Sequence, residues 1–106
     1  MRAAVYSFSL RGAELSKKVG ELLHNLGYEV QVETLPKYAE EAKLPAMVGN
    51  HYQVTEEAFK NCQAIVYVGS LGIAVRSIAP YLKSKLVDPA VISVDERGNF
   101  IIPLVA

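Results

Sequence analysis

The order of apolar and polar residues along the chain changes between two periods. Short runs rich in small and β-branched residues, at Arg2–Ser9, Ala64–Val68 and Ala90–Val94, are typical of buried strands. The segment Leu10–Leu26 instead places leucine and valine at spacings of three and four residues, which predicts an amphipathic helix. Gly27 follows it directly, as expected of a glycine that ends a helix.

The next part of the chain is less regular. Tyr28–Leu35 alternates with a period of two, which predicts a strand at the edge of a sheet. Pro36–Gln53 has no clean periodicity and predicts a loop of about eighteen residues, with one helical turn at Tyr38–Lys43. Thr55 then predicts the N-cap of a short helix that ends at Asn61.

The last third predicts one more helix and a hairpin. The helix is expected over Ile73–Lys85, where Pro80 should kink it or split it into two pieces. Asp95–Asn99 has the composition of a turn, and Phe100–Val105 resumes the strand pattern. The last two strands are therefore expected to form a hairpin.

Strands that alternate with helices predict an α/β domain over residues 1–106. We expect a three-layer, flavodoxin-like or Rossmann-like architecture, with a mainly parallel sheet of about four or five strands and a C-terminal hairpin. Ligands of such sheets bind beyond the carboxyl ends of the strands. This rule selects two loops, Ser7–Gly12 after the first strand and Gly69–Gly72 after the third.

Composition narrows the class of protein. The 106 residues carry 11 basic and 11 acidic side chains, and this zero net charge argues against a nucleic-acid partner. No apolar run is long enough to span a bilayer, and no leader pattern opens the chain. The single cysteine, Cys62, cannot form an internal disulfide, which suits the cytoplasm. A small anionic ligand held by a few cations remains compatible with this composition.

The turn after the third strand is the most informative string of residues. Two glycines, Gly69 and Gly72, let backbone N–H groups approach a ligand, and Ser70 adds a hydroxyl. Arg76 follows about one helical turn later and can pair with a carboxylate or phosphate. A strand-to-helix turn with Arg76 in a surface ion pair explains the same residues equally well.

Other side chains are weaker candidates. Ser9 and Arg11 lie in the first loop, where they form an anion site or, more simply, a helix cap. His51 is the better placed histidine for acid–base chemistry, because it is expected in the long loop, whereas His24 suits a helix end. Asp88 precedes a proline and either orients water or serves the turn. No metal site is predicted, since the histidines are far apart and lack cysteine neighbours.

A resemblance to a known family rests on the C-terminal third. The strings GSLGIAVR, IAPYLK, DPAV and VDERGNF occur in this order between Val68 and Val105. Together they resemble the N-terminal region of the CbiG family of cobalamin (vitamin B12) biosynthesis. The earlier chain fits more loosely, at Ser9–Leu10, Gly12–Leu15 and Leu35–Pro36.

The resemblance implies a cobalt-precorrin-5A hydrolase of the anaerobic pathway. Such an enzyme opens a δ-lactone on an anionic cobalt-tetrapyrrole and releases acetaldehyde; the cobalt belongs to the substrate, and no cofactor is implied. Two residues are then candidates for the general base, Asp88 and His51. The residues expected to bind the carboxylates or the lactone carbonyl are Ser9, Gly69, Ser70, Leu71, Gly72 and Arg76.

The chain departs from the family at its end. Family members continue into a Ser-Gly-His segment and further domains, whereas this sequence stops at Ala106. We therefore expect an N-terminal piece of a longer enzyme, which meets the remaining domain or other enzymes of the pathway. Two alternatives stay open: a non-catalytic module that binds a corrinoid or docks a partner, and a flavin-binding domain that uses the loop Ser7–Gly12.

Overall fold

The computed structural model of the chain describes residues 1–105 and consists of a five-stranded sheet with helices on both faces. The strands are β1 (Arg2–Ser7), β2 (Glu29–Thr34), β3 (Ala64–Val68), β4 (Ala90–Val94) and β5 (Ile101–Val105). The helices are α1 (Leu10–Asn25), α2 (Pro36–Ala42), α3 (His51–Asn61) and α4 (Leu71–Ile78), with a 3-10 turn at Ala79–Tyr81. The predicted three-layer α/β class is confirmed.

The strands lie in the order β2-β1-β3-β4-β5, which is the flavodoxin-like order. The first four are parallel, and β5 runs antiparallel to β4 as the predicted hairpin. The chain leaves β1 toward β2 on one side and reaches β3 on the other side of β1. The switch point of the sheet therefore lies between β1 and β3, where their carboxyl ends meet at one edge.

A hydrophobic core covers each face of the sheet. Tyr6, Ile65 and Tyr67 pack on one face against residues of α3 and α4. Val5 and Val66 point to the opposite face, where they meet the apolar side of α1. Because the sheet is covered on both faces, the buried residues of its central strands are mostly apolar, as expected of parallel strands.

Helix α1 lies very close to β2 at Gly20. A Cβ atom placed on Gly20 would be 2.6 Å from Cγ2 of Val32, a distance too short for two carbon atoms. The missing side chain therefore lets the helix approach the strand. Gly27, with φ at +98°, ends the same helix region as predicted.

Two sequence expectations about helices are wrong. The segment expected as one long loop contains α2 and the first turn of α3, so the connection between these helices spans only residues 43–50. The cap of α3 is Asn50 and not Thr55: the Asn50 side chain accepts from the backbone N–H of Gln53, whose side chain accepts from Asn50 N–H. The helix expected over Ile73–Lys85 begins earlier, at Leu71, and ends at Ile78; the 3-10 turn Ala79–Tyr81 contains Pro80, which interrupts the helix as expected.

Strand β5 forms an apolar outer edge of the sheet. Phe100 and Ile101 are 68% and 67% exposed. Pro103 lies in the middle of the strand, opposite Ile92, where the pairing with β4 becomes irregular. Within residues 1–105, no helix is both long and apolar enough to cross a membrane.

Candidate functional site

The carboxyl edge of the sheet brings together the loops that follow β1 and β3 and the start of α3. Phe8, directly after β1, connects them: its Cδ2 lies 3.4 Å from where a Cβ of Gly69 would be. The Phe8 ring also meets the His51 ring edge-on, with centroids 6.4 Å apart. The two loops that the strand order selects are thus neighbours, and His51 lies beside them.

Helix α4 begins at this edge with unused backbone donors. Ser70 is its N-cap, and its Oγ accepts the N–H of Ile73 at 3.2 Å. The N–H groups of Leu71 and Gly72 have no helical acceptor, because the residues four positions earlier belong to strand β3. These donors and the helix dipole make the start of α4 attractive to an anion.

Arg76 reaches back toward the same helix start. A Cβ on Gly72 would lie 3.4 Å from Nη1 of Arg76, so the guanidinium covers the first turn of α4. The alternative interpretation, a surface ion pair of Arg76, does not hold for residues 1–105. The side-chain ion pairs there are Arg2–Glu29, Glu14–Lys17 and Glu57–Lys60.

The exposed surface around Arg76 is apolar. Leu71 and Val75 are 43% and 46% exposed and lie one turn apart on α4. One cation therefore stands beside two uncovered aliphatic side chains. Such a surface can contact an apolar part of a ligand with the aliphatic side chains and a carboxylate with Arg76.

His51 occupies the first position of α3 rather than a loop, which corrects its expected placement. Its Nδ1 lies 2.6 Å from Oγ of Ser77 on α4. Its ring lies against that of Tyr52, with centroids 4.2 Å apart and the ring planes tilted by 34°. His51 is only partly exposed and is held by two helices, so its ring is oriented far better than that of a solvated loop histidine.

Ser9 acts as the N-cap of α1. Its Oγ accepts the N–H of Gly12 at 2.9 Å and donates to Oε2 of Glu96 at 2.5 Å. The carboxylate of Glu96, from the hairpin turn, thus lies at the positive end of α1. A phosphate bound there would face this carboxylate, which disfavours flavin binding through the loop Ser7–Gly12.

The hairpin turn also borders an open groove beside α1. The groove has a volume of about 440 Å³ and mixed charge. Its lining residues are Arg11, Glu14, Leu15, Lys18, Glu96 and Arg97. Arg11 is therefore separated from the start of α4 and belongs to a different surface of the carboxyl edge.

Asp88 lies at the opposite edge of the sheet. It precedes β4, whose first residue pairs with the first residue of β3, so it belongs to the amino ends of the parallel strands. Its Oδ2 accepts the backbone N–H groups of Lys83 and Ser84 at 2.8 and 3.1 Å. The structure therefore does not bring Asp88 and His51 together, and we leave Asp88 out of the site.

Burial removes three other groups from acid–base chemistry near neutral pH. Burial raises the pKa of Tyr67 to about 12, and it also raises the pKa of Tyr6 and of the Cys62 thiol. Among residues 1–105, no group of three or more potential metal ligands is close together. The partly exposed imidazole of His51 is chemically suited to proton transfer at the carboxyl edge.

Sequence reasoning missed two residues of this edge. Phe8 was read as part of the first strand, although it bridges Gly69 and His51. Ser77 contacts His51 across 26 positions, and nothing local in the sequence marks that pair. Only the direction in which α3 and α4 cross the sheet brings them together.

Known proteins match most of the chain. A family model described as "Cobalamin synthesis G N-terminal" matches residues 53–106. The cobalt-precorrin-5A hydrolase of Salmonella typhimurium is 32% identical over 103 residues, which are 97% of this chain and 28% of that protein. The protein of the same name from Priestia megaterium is 25% identical over the same shares.

A solved structure agrees with these relatives. A cobalamin biosynthesis protein G homologue from Sulfolobus solfataricus superposes with a TM-score of 0.73 at 28% identity, over 98% of this chain and 29% of that one. The chain thus spans about 28% of the length of the curated relatives it matches. The family match, the relatives and the fold agree with the strings from which the resemblance was inferred. The chain belongs to the CbiG N-terminal family of cobalamin synthesis proteins.

Proposed function

We propose that this chain is the N-terminal part of a cobalt-precorrin-5A hydrolase and binds the cobalt-tetrapyrrole substrate at the start of α4. The observation that carries the proposal is the position of Arg76. Its guanidinium lies over the first turn of α4, without a carboxylate partner in residues 1–105, beside exposed Leu71 and Val75. A corrinoid presents an apolar ring and peripheral carboxylates, which match these two features. The cobalt arrives with the substrate, and we propose no cofactor.

In this proposal the N–H groups of Leu71 and Gly72 and the hydroxyl of Ser70 face the lactone carbonyl or a neighbouring carboxylate. Gly69 lets the backbone pass close to the ring of Phe8. Donors fixed before the reaction stabilise the charge that develops on the carbonyl oxygen when water adds. Ser9 stands apart, because its hydroxyl already serves α1 and Glu96.

His51 is the proposed general base. A water molecule adds to the lactone carbonyl and gives one proton to the imidazole, and the ester C–O bond then breaks to leave a carboxylate and an alcohol. Acetaldehyde is released when the new alcohol gives up its O–H proton and the C–C bond to the ring breaks; the ring carbon takes the bonding pair and one proton in return. For the later steps we propose a partner segment equivalent to the part of the longer relatives that this chain does not match.

Turnover and binding by the chain separate the proposals. The chain is mixed with cobalt-precorrin-5A, and acetaldehyde and the corrinoid absorption spectrum are followed. Acetaldehyde above the protein-free control supports catalysis by these residues. Saturable spectral change without acetaldehyde supports the non-catalytic corrinoid-binding alternative. If the chain produces no acetaldehyde and causes no spectral change, the proposal is wrong.

A matched pair of arginine variants tests the position of the site. Arg76→Ala is expected to weaken corrinoid binding by about 1.5–3 kcal/mol, the usual range for a hydrogen bond to a charged group. Arg2→Ala removes another exposed arginine, at the amino end of β1, and is expected to leave binding unchanged. Equal effects of the two variants would place the site elsewhere.

A further inference from the structure

A buried hydroxyl holds the ring of His51. Ser77 is fully buried on α4, and its Oγ lies 2.6 Å from Nδ1 of His51. The distance is short and the donor is not given by geometry alone, because either atom can carry the shared proton. The other partners of Ser77 settle the direction.

The proton of the Ser77 hydroxyl is already used. Its Oγ lies 2.6 Å from the backbone oxygen of Ile73, which only accepts hydrogen bonds. Two oxygen atoms at this distance need a proton between them, since their lone pairs would otherwise repel. Ser77 also neighbours the hydroxyl of Tyr67, and a proton given there would equally be lost to His51. The shared proton therefore belongs to Nδ1 of His51.

Other neighbours of His51 restrain its backbone and its ring. The hydroxyl of Thr55 donates to the backbone oxygen of His51 at 2.6 Å and therefore accepts from Tyr67. Tyr52 and Phe8 contact the ring on its face and at its edge. The backbone and the ring plane of His51 are thus both fixed by residues of β3, α3 and α4.

We propose that Ser77 is a positioning residue that holds neutral His51 as the Nδ1–H tautomer. The Nε2 atom is then unprotonated, has no hydrogen-bond partner in residues 1–105 and is the atom that accepts a proton at the carboxyl edge. The use of Nε2 as a base rests on the proposed function. The tautomer itself does not, because it follows from contacts within the chain.

Nitrogen NMR of the histidine side chains tests the tautomer directly. The ¹⁵N-labelled chain is examined at a pH where both histidines are neutral, and His51→Gln assigns the signals. We expect His51 to show a protonated Nδ1 and a bare Nε2, whereas exposed His24 serves as the reference. A protonated Nε2 on His51 in the unmodified chain would overturn the proposal without any variant.

Two serine variants then test the role of Ser77. Ser77→Ala is expected to shift His51 toward the tautomer of His24. Ser16→Ala is the matched control, because Ser16 is equally buried, donates to the backbone oxygen of Ala13 at 2.7 Å and lies on α1. It should leave His51 unchanged. If Ser77→Ala does not fold, Ser77→Thr retains the hydroxyl and should retain the tautomer; its loss in that variant would contradict the proposal.

An activity measurement separates this inference from the proposed function. Where turnover is measurable, Ser77→Ala is expected to lower kcat at least about tenfold and to change its pH profile, with KM little affected. A tautomer shift without any change in the pH profile would reject His51 as the base and leave the tautomer assignment intact. An unchanged tautomer would reject the positioning role of Ser77.

Discussion

Replacing Gly20 by alanine tests whether close packing outweighs helix propensity in this protein. Alanine is favoured over glycine inside a helix by about 1 kcal/mol, so propensity alone predicts a more stable protein. The structure predicts the reverse, because the new methyl group would lie 2.6 Å from Cγ2 of Val32. Val32 is β-branched and cannot easily rotate that methyl away.

The magnitude follows from these opposing terms. An added methyl group in a packed core costs about 1–3 kcal/mol, and subtracting the propensity gain of about 1 kcal/mol leaves Gly20→Ala less stable by about 0–2 kcal/mol. In a Val32→Ala background the clash is absent, and Gly20→Ala should then stabilise the protein by about 0.5–1 kcal/mol. The two substitutions are therefore strongly coupled.

Urea unfolding followed by far-ultraviolet circular dichroism measures these free energies. Gly72→Ala is the control, since its methyl group would meet only the flexible end of Arg76, at 3.4 Å, and should be tolerated without loss of stability. A stabilising Gly20→Ala in the unmodified background would refute the close approach of α1 to β2. The same sign in both backgrounds would refute the assignment of the clash to Val32.

Three further predictions concern the cap, the thiol and a carboxyl group. Asn50→Ala should lower the free energy of unfolding by about 1 kcal/mol in the same assay, because it removes the capping box of α3; no change would contradict that role. Cys62 is buried and burial raises its pKa, so its reaction with a thiol reagent should be at least about tenfold slower in the native protein than in urea, and equal rates would contradict its burial. Burial raises the pKa of Glu33, so the native state binds that proton more tightly than the unfolded state and stability falls as pH rises through that pKa. Glu33→Gln should accordingly be more stable than the unmodified chain at neutral pH and lose this advantage in acid. If urea unfolding gives the same difference in free energy of unfolding at both pH values, the prediction is wrong.

The sheet and α1 could be predicted because their signals are local. The runs at Ala64–Val68 and Ala90–Val94 are short, apolar and β-branched, and α1 carries a stripe of leucine and valine over four turns. The turn residues before Phe100 similarly indicate the hairpin. Each of these signals lies within the element that it predicts, so tertiary structure does not need to be known.

The sequence contains a signal for the true start of α3, at Asn50 and not at Thr55. Asn50 and Gln53 have the types and spacing of a capping box, whereas Thr55 is a common cap residue that here points into the core. Helix α2 is only seven residues long, too short for a period to stand out. With Thr55 as the expected cap, His51 falls in the long loop, whereas the capping box makes it the first residue of α3.

The direction of each strand decides which residues come together at the site. Gly69, Ser70 and Arg76 are close in sequence, so their grouping at the start of α4 was predictable. Asp88 precedes the parallel strand β4, whereas His51 begins a helix at the opposite edge of the sheet. The directions of these two elements must be known before the two residues can be assigned to different edges. The contact between Ser77 and His51 requires two helices to be placed on the same face, which no single segment encodes.

The outer strand β5 has a consequence for how this protein meets other molecules. An edge strand usually invites another strand to add to it by backbone hydrogen bonds. Pro103 supplies no N–H and interrupts that template, while Phe100 and Ile101 remain exposed beside it. A molecule that contacts this edge therefore packs against side chains and does not extend the sheet by backbone hydrogen bonds. Any association through this edge would be hydrophobic, so it should weaken in the cold, and a polar substitution at Ile101 should reduce it.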